Sequence, residues 1–443
     1  MMKPLLLLLI GLSLLACEPD VPLPVLTEAE RTANYEIALA TELNTFVHPL
    51  TGTSPTLPAN ELVPFDYLAN ARIVGLGEAT HGTREFFAFK HRLFRYLVEE
   101  HGYRALVFEM DFAEALFFDD YVRNGHGSPE QLMQDSMYLW LWQNEEVRDL
   151  LVWMREFNAD RPAADQVRFL GNDAQTPRYN ATALIRRLQQ LDPQLAATTH
   201  RLTRGYRRLN RTTYRDAGKN RHHRIVEELR TVRDLLTNHK IKITALASER
   251  EYALLYQLSQ NLLATEALLW SEHQAPYVNR RDLRLAINTQ WWAERLGTKT
   301  VAWAHNLHVG DHPALLNSGA MGSYLKDAYG AGYQSIGFSF SSGSFLARGT
   351  DGRLGIHVLS GPPSSKSIHH YFDLAAAERF FLRRTDLPSE SLTVDLLDKG
   401  ASWHTVGAAY TERSGPNLIP LDFDGVVHLR STSAARPLLN ERD

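Results

Sequence analysis

Four segments of this chain end alike: a short apolar run breaks into a cluster of polar, mostly ionisable residues. Residues 71–77 run into Glu78-Ala-Thr-His81-Gly82, and residues 105–108 into Glu109-Met-Asp111. Residues 167–171 run into Asn172-Asp173, and residues 300–304 into His305-Asn306-Leu307-His308. Read as strands of a parallel sheet, the four runs have their carboxyl ends along one edge, and ligands bind in the crevice outside such an edge. Two glutamates, three histidines and an aspartate then converge from segments far apart in sequence. The fold class this predicts is α/β, a mostly parallel central sheet flanked by helices.

Helical spacing fills the intervals between these runs. It is seen over residues 27–47, over a short stretch at 61–70, and from Gly82 to about Glu100. The last of these presents Phe86, Phe89, Leu93, Phe94 and Leu97 on one face, and Lys90 lies on that same face. A lysine on the inward side of a helix either snorkels to water or meets a carboxylate. Residues 112–165 read as helical, with a Trp-rich stretch from Tyr138 to Trp142. From 180 to 297 there is no strand signal, only helical spacing at 181–191, 221–236, 244–270 and 281–296. That is longer than an ordinary crossover and reads as a helical insertion, dividing an α/β catalytic core of residues 35–179 and 298–443. Residues 333–340 read as a further strand, 348–358 as an edge hairpin and 425–429 as a terminal strand.

The first residues bear on destination. Met1-Met2-Lys3-Pro4 is a short positive segment and Leu5 to Leu15 an apolar one, too short for a stable bilayer span. Leu14-Leu15-Ala16-Cys17 resembles a bacterial lipoprotein box, with cleavage after residue 16 and a diacylglycerol on Cys17. Residues 17–34 would then be the lipidated cysteine and tether, holding the protein on the periplasmic face of the envelope. Glu18 after the cysteine favours the outer membrane. With a single cysteine in the chain, the mature domain has no disulfide. At 443 residues, 44% apolar and 22% charged, the chain is globular with ample core. A net charge of -4 gives no argument for nucleic acid. Residues 201–233 run against that balance, with eleven Lys/Arg to three Asp/Glu. They read as a solvated helix face or as a contact for an anionic surface such as lipid headgroups.

A nucleophile elbow of the Gly-x-Ser-x-Gly type, a His-Glu-x-x-His helix and a P-loop are all absent from the sequence. Residues 75–80 begin like a dinucleotide turn but lack its third glycine, and Glu78 would repel a pyrophosphate. What remains is carboxylate–histidine chemistry. An imidazole at His81 would take a proton from water near neutral pH, with Glu78 or Glu109 fixing its tautomer. His305, His308 and Lys90 would stabilise an oxyanion. Two rivals use other chemistry. In the first, Glu78, His81, Glu109, His305 and His308 hold a divalent metal in a metal-dependent hydrolase. In the second, the protein is a binding lipoprotein for an envelope ligand or haem, with His or Tyr as axial ligands. Paired Glu78 and Glu109 would also suit glycoside chemistry, to which three histidines are surplus.

Several stretches together resemble the erythromycin esterase family: residues 77–86 (Gly-Glu-Ala-Thr-His-Gly-Thr-Arg-Glu-Phe), Phe108-Glu109, residues 171–175, and residues 303–309 (Trp-Ala-His-Asn-Leu-His-Val). The similarity continues through residues 321–325, 336–338 and 423–427, and covers roughly residues 35–430. The resemblance implies ester hydrolysis, of an erythromycin-type macrolactone in known members, by a histidine that activates water without a covalent acyl-enzyme; no cofactor is expected beyond the divalent metal of the rival reading. It places that role on His81, with Glu78, Glu109, His305 and His308 as the accompanying site residues. Lys90 stands where some members carry arginine, and Leu285 follows Arg281-Asp282 where a methionine is expected. The substrate implied is a small ester or lactone, and the membrane contact is through the N-terminal lipid.

Overall fold

The computed structural model describes residues 27–137, 140–209, 213–214, 218–274, 280–311, 319–362, 364–365, 367–398, 402–410, 417–420 and 422–438. The lipoprotein segment with Cys17, and Tyr138 and Leu139 of the Trp-rich stretch, lie outside the described residues.

Eleven strands are described: β1 (His48–Pro49), β2 (Ile73–Leu76), β3 (Ala105–Asp111), β4 (Arg168–Asp173), β5 (Thr300–Trp303), β6 (Tyr333–Arg348), β7 (Leu354–Leu359), β8 (Arg379–Arg383), β9 (Ser402–Thr405), β10 (Asn417–Pro420) and β11 (Gly425–Thr432). Nine form one sheet in the order β1-β8-β11-β6-β2-β5-β3-β4, with β7 paired to the far half of β6. The run from β11 to β4 is parallel throughout. β8 and β1 continue it in antiparallel sense. The fold is therefore α/β with a mostly parallel mixed sheet. The four runs singled out in the sequence are β2, β5, β3 and β4, side by side in that order. Every residue of β2, β3 and β5 is buried, which is why they read as continuous apolar runs rather than alternating ones.

β11 is the terminal strand expected at 425–429, and it lies inside the sheet, between β6 and β8. Elsewhere the sheet differs from the expectation. The strand begun at Tyr333 continues to Arg348 and turns back as the β6–β7 hairpin. β8, Arg-Phe-Phe-Leu-Arg, was not foreseen, because three apolar residues between arginines are too few to show a period.

Helix α1 (Arg84–His101) follows β2 and ends at Gly102, whose positive φ of 70° caps it in the left-handed region. The described chain between β4 and β5 is helical. It includes α2 (Pro177–Leu191), α3 (Pro193–Thr203) and α4 (Arg280–Leu296). α3 was not foreseen; it starts at Asp192, whose side chain accepts the Leu195 N–H, with Pro193 in the first turn. The single helix expected over 244–270 is two, Lys240–Leu246 and Glu249–Gln274. The break lies at Ala247 and Ser248, where the Ser248 hydroxyl accepts from the Glu251 N–H. α4 returns to pack on β4: Trp292 donates to the Gly171 carbonyl and Asn288 to that of Asn172. This return brings the start of α4 to the carboxyl edge of the sheet.

Candidate active site

The turn after β2 is held on three sides. Gly77 N donates to Ile336 O of β6, Ala304 N to Leu76 O, Asn306 N to Glu78 O and Val406 N to Ala79 O. The side chain of Asn306 reaches across to β6, donating to Phe338 O at 2.7 Å and accepting from Phe338 N at 3.1 Å. A Cβ at position 77 would run into that amide, so the position requires glycine. Asn306 is thus part of the scaffold. The Thr80 hydroxyl pairs with Thr83 at 2.6 Å and accepts from Gly82 N.

This turn holds Glu78 in a fully buried position. One carboxylate oxygen lies 2.7 Å from His81 Nδ1 and the other 2.6 Å from Lys90 Nζ. Lys90 arrives from α1, fully buried, with its ammonium 4.0 Å from the centroid of the Trp303 ring. Burial pulls Lys90 down to about 8, against the opposing pull of Glu78. Glu78 therefore accepts from Lys90 and fixes the His81 tautomer with its proton on Nδ1. His81 Nε2 has no hydrogen-bond partner among the described residues, and the side chain is 8% exposed. Trp142 stands edge-on to the imidazole, ring centroids 5.1 Å apart, and donates its own N–H to Glu109 O.

A second cluster forms around Glu109. One oxygen accepts from His305 N at 2.9 Å and the other from Arg281 at 2.7 Å. Arg281 also pairs with Asp173 at 2.6 Å. His308 Nδ1 lies 2.7 Å from Asp282, and its Nε2 faces Arg281 at 3.1 Å and Glu109 at 3.4 Å. Burial opposes charge on Glu109, but His308 and Arg281 outweigh it and hold the carboxyl well below the usual carboxylate range. Burial also opposes charge on His308. There Asp282 and Glu109 win and push the imidazolium up to about 10. The charged His308 pairs with Glu109 through Nε2 at 3.4 Å, and Asp173 pairs with the Arg281 beside it at 2.6 Å. Arg281 and His308 side chains are 20% and 14% exposed, so both cations keep part of their surface in solvent.

The structure thus brings together all six residues singled out in the sequence but gives two of them other work. Lys90 lies behind Glu78, sealed from solvent, where no oxyanion can reach it. His305 is also committed. Its Nδ1 accepts from Leu307 N at 3.2 Å, so Nε2 carries the proton and faces Ala79 O at 3.3 Å and the Thr405 hydroxyl at 3.2 Å. Burial keeps it neutral. Of the two glutamates, Glu78 is the one bonded to His81. Asp111 turns away, toward α2, accepting from Thr176 and Asn180. Burial pushes it up to about 7. Arg281 and Asp282 were given no role in the sequence reading. The signal was an oppositely charged pair opening a helix whose partner lies at a distant strand end. Among the described residues, no group of three or more His, Cys, Asp or Glu is disposed to hold a metal ion. The oxygens of Glu78 and Glu109 and both nitrogens of His305 already have protein partners.

A mostly parallel α/β sheet with a carboxylate-buttressed histidine at its carboxyl edge defines a class of site, and comparison with known proteins gives the family. The erythromycin esterase family model matches residues 98–432. The chain is 24% identical to erythromycin esterase type II of Escherichia coli, covering 63% of this chain and 71% of that protein. It is 25% identical to the Bacillus subtilis protein YbfO over 82% of this chain and 84% of the other. Among solved structures, a Bacillus cereus protein superposes with a TM-score of 0.82 at 26% identity, over 91% of this chain and 99% of that one. An erythromycin esterase mutant in its open conformation shares the fold, with a TM-score of 0.68 at 18% identity over 89% of this chain and 99% of that one. The chain belongs to the erythromycin esterase family of hydrolases.

Two stability measurements check this geometry. Glu78→Gln leaves a buried ammonium without its counter-charge and is expected to destabilise by about 3–5 kcal/mol in chemical denaturation. Adding Lys90→Met should recover much of that loss, whereas additive losses would contradict a direct pair. His308 is protonated in the native state up to about 10, against 6.5 for a free imidazole. Its contribution is fully present below pH 6.5 and is lost as pH rises toward 10. Lys90 acts in the opposite sense above about 8, and Asp111, pushed up to about 7, titrates alike in both proteins, so the comparison is of wild type with variant over pH 6.5 to 8. There the wild-type Tm should fall more steeply than that of His308→Gln; parallel slopes would contradict the charged His308.

Proposed function

We propose that the chain hydrolyses a carboxylic ester or lactone by direct attack of water, with His81 as general base. The observation that carries this is the 2.7 Å contact of His81 Nδ1 with buried Glu78, with Nε2 left without a hydrogen-bond partner among the described residues. Nε2 takes a proton as water adds to the carbonyl carbon, and Glu78 stabilises the imidazolium that forms. The carbonyl oxygen becomes an oxyanion, for which Arg281 and His308 are the partly exposed cations. Collapse breaks the bond to the alcohol oxygen, and His81 returns its proton to the departing alkoxide. The products are an acid and an alcohol, with no enzyme–acyl bond. Lys90, Glu109 and His305 are positioning residues here. The name of the Escherichia coli relative supports a macrolactone of the erythromycin type as substrate. We also propose that Cys17 carries the lipid anchor and that the domain works at the periplasmic face of the outer membrane.

Mass spectrometry of erythromycin incubated with the protein should show gain of one water. His81→Ala should slow it by about 10²–10⁴-fold, and a chelator should leave it unchanged. Unaltered erythromycin beside turnover of simple esters or lactones would overturn the macrolide assignment alone. Turnover that survives His81→Ala would overturn the mechanism. Cys17→Ser should move the protein from the membrane fraction to the soluble one; unchanged fractionation would contradict the anchor.

A further inference from the structure

Arginines in this fold are usually paired. Arg168 binds Asp119, Arg187 binds Glu251, and Arg281 binds Asp173 and Glu109. One cluster stands apart from those pairs. A cavity of about 390 Å³ is lined by Arg178 and Thr182 of α2, His200 of α3, and Arg204, Arg207 and Arg208 just after it. Four arginines line it, and among the described residues no carboxylate does. None of the four has a hydrogen-bonded or ionic side-chain partner among the described residues. Arg207 Nε is buried with nothing to donate to. Such an orphan is costly, because a buried donor that meets neither protein nor solvent forfeits its hydration. Burial and the neighbouring Arg208 also pull Arg207 below the usual arginine range. The concentration of positive charge stands in a chain whose net charge is -4, so overall composition does not account for it.

We propose that this cavity binds a phosphate-bearing group. The guanidinium fork matches a tetrahedral oxyanion bidentately, and an ion carrying two negative charges relieves the repulsion among four arginines better than a single carboxylate. Arg178 stands in the first turn of α2, where the helix N-terminus adds partial positive charge. Thr182, one turn on, supplies a hydroxyl. The volume exceeds the roughly 30 Å³ share of one water many times over, which fits a headgroup rather than a bare ion. The site is separate from the Glu78–His81 pair and does not depend on the hydrolytic reading. α2 starts four residues after Asp173, so Arg178 in its first turn lies near the carboxyl end of β4 in sequence. The phosphate belongs either to a membrane lipid or to a soluble molecule.

The test uses the full chain carrying Cys17→Ser, so that no acyl anchor is attached. Pyrophosphate binding is followed by calorimetry, and vesicle binding by co-sedimentation with phosphatidylglycerol or phosphatidylcholine vesicles. Each is repeated with R204E/R208E, two exposed positions, and with R207K as a milder second variant. Binding of either probe that weakens at least about tenfold in R204E/R208E and falls with added salt supports the site. Phosphatidylglycerol preferred over phosphatidylcholine identifies a lipid source; pyrophosphate alone identifies a soluble one. Failure of both probes to bind, or binding unchanged in R204E/R208E and R207K, overturns the proposal.

Discussion

One buried carboxylate organises this site. Glu78 has no exposure to water and must satisfy its charge within the protein. It does so with the Lys90 ammonium on one oxygen and the His81 Nδ1 proton on the other. The ion pair keeps Glu78 anionic in a dry setting, and an anionic Glu78 dictates which nitrogen of His81 holds the proton. Lys90 thus influences the crevice without facing it. Removing either partner leaves the other charge buried and alone, which is why the pair is structural and chemical at once.

The surrounding fold serves to keep that carboxylate where it is. Its turn is bonded to β5 and β6 and to the segment after β9, and the Asn306 amide locks the far side. Phe87, Phe108, Trp142 and Trp303 pack in contact beneath the turn and exclude water from the Glu78–Lys90 pair. The Glu109 cluster is built on a different principle. Three carboxylates, Glu109, Asp173 and Asp282, and two cations share bonds there, and Arg281 and His308 keep part of their surface in solvent. A dry anion behind the base and partly wet cations in front of it suit a reaction that makes an imidazolium and an oxyanion together.

Much of this was legible in the sequence, for physical reasons that can be named. Strands buried on both faces must be apolar throughout, so β2, β3, β4 and β5 stood out, and the parallel arrangement put their polar ends together. Lys90 was legible as an anomaly, an ammonium on the apolar face of α1. What was not legible depends on contacts across the chain. Glu78 and Glu109 are equivalent by strand-end position, and only the tertiary turn shows which one holds His81. His305 and His308 look alike in a four-residue motif. One is neutral, with both nitrogens engaged, and the other is charged between Asp282 and Glu109. Arg281 comes from a helix more than a hundred residues from Asp173 along the chain, and no local pattern announces where that helix returns. β8 is too short to carry a period of its own.

The central claim is that Glu78 holds the Nδ1–H tautomer of His81 and leaves Nε2 open to water. Nitrogen NMR of protein with ¹⁵N-labelled histidine tests it most directly, with His81→Ala assigning the resonance. The account predicts a protonated, pyrrole-type Nδ1 and an unprotonated, pyridine-type Nε2 for His81 in neutral solution, with that preference lost in Glu78→Gln. A proton on Nε2 in place of Nδ1, or an unchanged spectrum in Glu78→Gln, would contradict it.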